Sequence, residues 1–240
     1  MLSNYSDNID KAIAAREGEA PDIFKLKNYL SSLLPDFDNE LIIEQFPGGY
    51  SNLTFLLKTK DKEYVLRKPP RGAAIKSAHD MGREFNVLTA LQPVYKPVPA
   101  PILFCEDVSV IGSPFYIMER VRGIILRNKI PNGMELSPAM MRSISTSAID
   151  NLATLHSINI ATTGLMNLGK PEGYIQRQVE GWIKRYIAAE TDTIADMNKT
   201  AGWMQANMPD DGAVAFIHND YKYDNLVLDP ENLSSIIAVL

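Results

Sequence analysis

His218-Asn219-Asp220-Tyr221-Lys222-Tyr223-Asp224-Asn225 carries an H-x-D-x-x-x-x-N spacing whose residue types suit phosphoryl transfer. Such a loop must hold a carboxylate at an attacking oxygen and an amide oxygen at a metal ion, one on either side of the group being moved. Asp220 is the candidate base for a hydroxyl proton, Asn225 the candidate magnesium ligand, and His218 the candidate brace of the loop. The pattern is short enough to arise by chance, so its weight depends on what surrounds it. Runs at 213–217 and 226–228 read as strands on either side, which is where a catalytic loop would sit. A site of this kind takes a second metal-binding carboxylate after the next strand, Ser235 to Leu240, where the sequence stops. On that reading the 240-residue chain is an incomplete fragment with little or no activity of its own.

Three further groups fit the handling of a nucleotide. Gly48-Gly49-Tyr50-Ser51-Asn52 lies between two strand-like runs. It is a hairpin turn at the least, and its small residues would also let backbone N–H groups approach phosphates closely. Alternation along the run 63–68 puts Val65 and Arg67 on one face and Tyr64, Leu66 and Lys68 on the other. Laid on the kinase pattern V-A-I-K, this makes Val65 the adenine roof and Arg67 the phosphate clamp, with Lys68 taking over if a bulge shifts the register. An arginine there is a departure, because a planar fork and an ammonium bind phosphate differently. Glu84, beside the apolar stripe of a helix, is either a solvated surface group or the ion-pair partner of that clamp. Met118-Glu119-Arg120-Val121 ends a strand, and the backbone at Met118, Glu119 and Val121 is placed to meet a base.

These groups need a scaffold, and the pattern supplies one. Residues 1–20 are polar and read as a flexible arm. Ile23, Leu26, Leu30 and Leu33 recur at helical spacing up to Pro35. Strands are expected at 41–46, 53–59, 63–68, 102–105 and 115–120, with one helix over 77–91 whose Met81, Phe85 and Leu88 share a face. After a connector at 118–123 the chain turns helical. Met141, Ile144, Ala148, Leu152 and Leu155 form a stripe behind a Ser137-Pro138 start, and helices follow at 171–189 and 192–207. A β-rich lobe over 21–117, a hinge and a helical lobe over 124–240 make an α+β, two-lobed protein-kinase-like fold with its C-terminal lobe incomplete.

Composition excludes other classes. The net charge of -5 and the scattered basic residues do not form a nucleic-acid surface. One cysteine, Cys105, gives no disulfide framework, and the three histidines have no ligand-spaced partners for zinc. No apolar run approaches the ~20 residues that cross a bilayer, and the N-terminus lacks a signal-peptide pattern, so a cytoplasmic protein without membrane or nucleic-acid partners is expected. There is no nucleophile elbow for acyl transfer.

The chain resembles the aminoglycoside phosphotransferase-like family, in the branch related to the N-terminal kinase-like domain of acyl-CoA dehydrogenase family proteins. The similar segments are Gly48 to Phe55, Tyr64 to Pro70, Arg83-Glu84-Phe85, Phe115 to Gly123, Leu152 to His156, Gly164 to Trp182 and the loop itself, all in order. An arginine at position 67 is common in that branch. Asn219 stands where the family has glycine, and asparagine tolerates the left-handed backbone such a position requires. The resemblance implies ATP or GTP and Mg2+ as cofactors and a small-molecule hydroxyl as acceptor, with the branch pointing to a hydroxyacyl thioester or related metabolite. An aminoglycoside antibiotic as acceptor, or a nucleotide-binding pseudoenzyme with a regulatory role, are the alternatives it leaves. The oligomeric state is not specified.

Overall fold

The computed structural model describes residues 5–37, 40–47, 52–70 and 80–240. Alternating apolar residues build one antiparallel sheet of six strands, ordered β1-β2-β3-β4-β6-β5. These are β1 (Ile13–Ala14), β2 (Ile42–Gln45), β3 (Leu53–Lys58), β4 (Glu63–Lys68), β5 (Pro101–Cys105) and β6 (Phe115–Glu119). The ladder between β3 and β4 runs from Leu53↔Lys68 to Lys58↔Glu63 without a bulge. The alternation read from the sequence therefore holds throughout β4.

One face of the sheet packs on helix α1 (Ile23–Ser31), capped by Asp22, whose side chain accepts from the N–H groups of Phe24 and Lys25. Leu26 and Leu30 are fully buried there with Phe55, Leu57, Leu66, Phe115 and Ile117. The other face carries Val65, Tyr116 and Met118, against Met81, Phe85 and Leu88 of helix α2 (Met81–Leu91). That helix begins at Met81 because the Asp80 carboxylate accepts from the Arg83 N–H. The expected start at 77 lies outside the described residues.

Between β5 and β6 is the single-turn helix α3 (Val108–Ile111); helix α4 (Pro138–His156) follows β6 with Ser137 as its N-cap and proline in its first turn. Helices α5 (Tyr174–Ala189) and α6 (Ala195–Ala206) come next, then the hairpin β7 (Leu226–Leu228) and β8 (Ile236–Val239). Contacts divide the chain into residues 1–158 with 217–240, and residues 159–216. In the smaller unit the Asp211 carboxylate accepts from the N–H groups of Gly173 and Ile175 and so caps α5. The larger unit holds the sheet, α4 and the 218–225 loop together.

Three expectations differ from this. The contacts do not part at 118–123, where the chain just past β6 is stitched to β7: Ile124 and Leu228 exchange backbone hydrogen bonds of 2.9 and 2.8 Å. Residues 213–217 are not a strand; no described strand pairs with them, and Val214 and Ile217 are exposed. The arm is not loose where it is described, since Ile13 and Ala14 pair with Gln45 and Glu44. Polar residues docked by backbone and ion-pair bonds leave no apolar periodicity, which is why the pattern missed them.

Gly123 makes the stitch possible. A Cβ there would lie 2.5 Å from both the Leu228 carbonyl oxygen and Val227 Cγ1. Overpacking of this kind costs about 1–3 kcal/mol, so Gly123→Ala should lower the urea midpoint correspondingly without changing the slope of the transition.

Candidate active site

The 218–225 loop is shaped by its own side chains. Asn219 has φ +66°, the only described non-glycine residue with positive φ, so the left-handed turn expected at this position is present. His218 Nδ1 accepts from the Asp220 N–H at 3.3 Å, which leaves the ring proton on Nε2, 3.2 Å from the Leu240 carbonyl oxygen. The ring also meets Tyr221 edge-on. Burial holds the imidazole below its ordinary pKa, against the opposing pull of the Leu240 carbonyl and Asp220.

From there the loop alternates. Tyr221 donates to the Ala148 carbonyl at 2.8 Å, and Tyr223 shares a 2.8 Å hydrogen bond with Ser145, so both rings pin the loop to α4. Burial pushes the Tyr221 hydroxyl up to about 12, which keeps it a donor. Asp220, Lys222 and Asp224 lie between and beside the tyrosines, and all three line a cleft of about 1400 Å³. Lys222 Nζ is 3.0 Å from Asp220 Oδ2, and Asn225 Nδ2 donates to the same oxygen at 3.0 Å and to the Asp220 backbone oxygen at 2.8 Å. The hydrogen bond from Lys222 and then that from Asn225 hold the Asp220 carboxyl below the usual carboxylate range. It is therefore ionised at neutral pH and exposed to the cleft.

The sheet supplies the opposite wall. Val65 and Arg67 of β4 line the cleft, whereas Lys68 is buried (3% exposed) on the other face. Arg67 Nε lies 3.7 Å from Glu84 Oε2 and has no hydrogen-bond partner among the described residues. Burial works against the Arg67 charge, but Tyr116 and Glu84 more than offset it and the pKa stays raised. Glu84 is held in turn, taking a 2.8 Å hydrogen bond from Asn52 Nδ2 and one of 3.0 Å from Tyr116. Asn52 also lines the cleft, but its amide is committed to Glu84. Gly48, Gly49 and Ser51 lie outside the described residues. Met118, Glu119 and Val121 line the cleft, with the Glu119 N–H already bonded to the Ala100 oxygen at 2.8 Å.

Several residues escaped the sequence reading. Lys222 and the two tyrosines were visible as an alternation of aromatic and charged residues inside the loop. Tyr116 was legible only as a strand residue. Ile125 and Val227, which line the cleft and pack with Ala238, had no signal beyond their apolar nature.

Residues 42–237 match the family model described as the phosphotransferase enzyme family. Human acyl-CoA dehydrogenase family member 11 is 42% identical over 220 residues, which is 90% of this chain and 28% of that protein. Mouse acyl-CoA dehydrogenase family member 10 is 38% identical over 216 residues, or 90% of this chain and 20% of that one. The chain thus spans under a third of these relatives. Among solved structures, a provisionally named aminoglycoside phosphotransferase of Ralstonia eutropha superposes with a TM-score of 0.76 at 35% identity, covering 92% of this chain and 64% of that one. The phosphotransferase APH(4)-Ia, solved with ADP and hygromycin B, gives 0.59 at 13% identity over 90% of this chain and 70% of its own, which is a likeness of fold. The fold is α+β and kinase-like, and the chain belongs to the phosphotransferase enzyme family.

Proposed function

We propose that this domain moves the γ-phosphate of ATP or GTP to the hydroxyl of a small molecule, with Asp220 as the base. The observation that carries this is an ionised carboxylate facing the cleft, steadied by Lys222 and Asn225, opposite an arginine with an unsatisfied buried Nε. The Asp220 carboxylate takes the hydroxyl proton as the substrate oxygen attacks the γ-phosphorus, and the nucleoside diphosphate departs with the bond to phosphorus broken. Arg67, oriented by Glu84, and Lys222 offset the negative charge of the phosphates. Most of the acceleration then comes from positioning and charge stabilisation.

Asn225 suits a magnesium ligand, since its Nδ2 is committed to Asp220 and its Oδ1 remains for a cation. Magnesium needs only one or two protein ligands beside substrate phosphates. The lack of a three-residue His/Cys/Asp/Glu cluster among the described residues is therefore compatible with it. When bound, the ion would supply further charge neutralisation at the phosphates.

The proposed acceptor is a hydroxylated acyl thioester, because the relatives at 38–42% identity are named acyl-CoA dehydrogenase family members. The hygromycin B of the 13% identical neighbour does not carry over.

General-base removal typically costs ~10²–10⁴-fold. Asp220→Asn should lose that much phosphoryl transfer in an assay with a hydroxyacyl thioester, while calorimetric ATP affinity stays within a few fold. Equal rates for both proteins would remove Asp220 from the base role, and ATP binding with no transfer by either would favour a binding domain.

The pH profile offers an independent check. The folded-state pKa of His218 is depressed, so its bond to the Asp220 N–H is intact above the ordinary imidazole value of about 6.5 and is lost as pH falls through the lower folded value. The rate should decline on the acid side below about pH 6.5. An acid limb centred clearly above that value would contradict the assignment.

A further inference from the structure

The polar residues before β1 are tied to the cleft more closely than a terminal arm needs to be. The Asp10 N–H donates to the Gly123 oxygen at 3.0 Å, and the Asp10 oxygen accepts from Arg120 Nη2 at 2.8 Å. The Asp10 carboxylate takes both Arg127 nitrogens, with Nη2 at 3.2 Å. Ahead of it in the chain, Asn8 Nδ2 donates to the Asn132 oxygen at 2.9 Å and the Tyr5 N–H to the Pro230 oxygen at 3.2 Å. Arg120 is itself almost fully buried, paired with Glu63 at 2.7 Å and stacked over Phe46. Burying an arginine costs desolvation, which at Arg120 is offset by Glu63, the Asp10 oxygen and the Phe46 ring.

The place where these bonds converge is a partition. Beside the main cleft is a hollow of about 270 Å³, lined by Leu56, Lys58 and Glu63 on the same sheet face as Val65 and Arg67. Ile9, Asp10, Lys11 and Arg120 line both spaces. Val65, Met118, Val121 and Ile125 are apolar residues of the cleft lining, and Val121 lies between Arg120 and Gly123, to both of which Asp10 is bonded; none of these bonds involves Arg67, Asp220 or Asn225.

We infer that residues 5–12 are the outer wall of the base-and-sugar end of the nucleotide site, with Asp10 as the positioning residue that locks the wall to Gly123, Arg120 and Arg127. This rests on the cleft being the nucleotide site. The arm gives the site a fixed length, with Ile9 facing the base region and Asp7, Asn8 and Lys11 providing polar groups for the sugar. It therefore acts on the nucleoside and not on the phosphates.

That distinction sets the test. ATP, adenosine and inorganic tripolyphosphate are titrated into the unsubstituted protein, Asp10→Ala, Arg127→Ala and Asp10→Glu, with thermal melts run alongside. Loss of a charge-assisted pair corresponds to about tenfold or more in affinity, so Asp10→Ala and Arg127→Ala should weaken ATP and adenosine by that factor and leave tripolyphosphate unchanged. Asp10→Glu should recover most of the loss. Unchanged adenosine affinity in folded variants, or a parallel loss of tripolyphosphate, overturns the inference while leaving the nucleotide site in place. If the unsubstituted protein binds neither ATP nor tripolyphosphate, the nucleotide reading itself falls and the wall with it. Should Asp10→Ala not fold, hydrogen exchange on the unsubstituted protein decides: adenosine should slow exchange at residues 5–12, and unaltered exchange there overturns the wall.

Discussion

A carboxylate that is to take a proton must be exposed and ionised, yet its position must be fixed to within a fraction of an ångström. The 218–225 loop meets both demands by alternation. Tyr221 and Tyr223 bury their rings and hydrogen-bond to α4, while Asp220, Lys222 and Asp224 face the cleft. Each tyrosine bond contributes only about 1 kcal/mol, so rigidity comes from several weak restraints that agree. His218 adds one from the loop's start and Asn225 another from its end. If the anchors gave way, Lys222 and Asn225 would no longer share one Asp220 oxygen, and the carboxylate would lose both its orientation and the cause of its lowered pKa.

The second requirement is that the loop and the sheet form one body. Gly123 lets the connector touch β7 closely enough for Ile124 and Leu228 to exchange hydrogen bonds, and the Gly123 oxygen is in turn used by Asp10. Arg67 and Asp220 are thus related through a short path: β4 to β6, β6 to the connector, the connector to β7, and β7 to the loop. This path crosses no part of residues 159–216, which explains why the contacts divide the chain there and not at the connector.

Much of this was legible in the sequence, for identifiable reasons. Period-2 alternation in β4 placed Val65 and Arg67 together and Lys68 opposite, and the unbroken ladder kept that register. The helical stripe of Met81, Phe85 and Leu88 put Glu84 at the sheet, where it meets Arg67. What the sequence hid depends on partners distant along the chain. The Asn52 amide holds Glu84, 32 residues away, a pairing that no local pattern shows. Asp10 finds Arg127 across 117 residues through no pattern at all. Residues 213–217 show the opposite failure: they have local strand character and no neighbouring strand to pair with.

The central claim is that the Asp220 loop places a substrate hydroxyl in line with a nucleotide's terminal phosphate. Incubating the protein with ATP labelled at the γ-phosphate and a hydroxyacyl thioester, then locating the label by mass spectrometry, tests this most directly. The account predicts label on the acyl hydroxyl oxygen, with one ADP formed for each phosphate transferred. Bound ATP that yields no labelled acyl product, or label recovered only as inorganic phosphate, would contradict it.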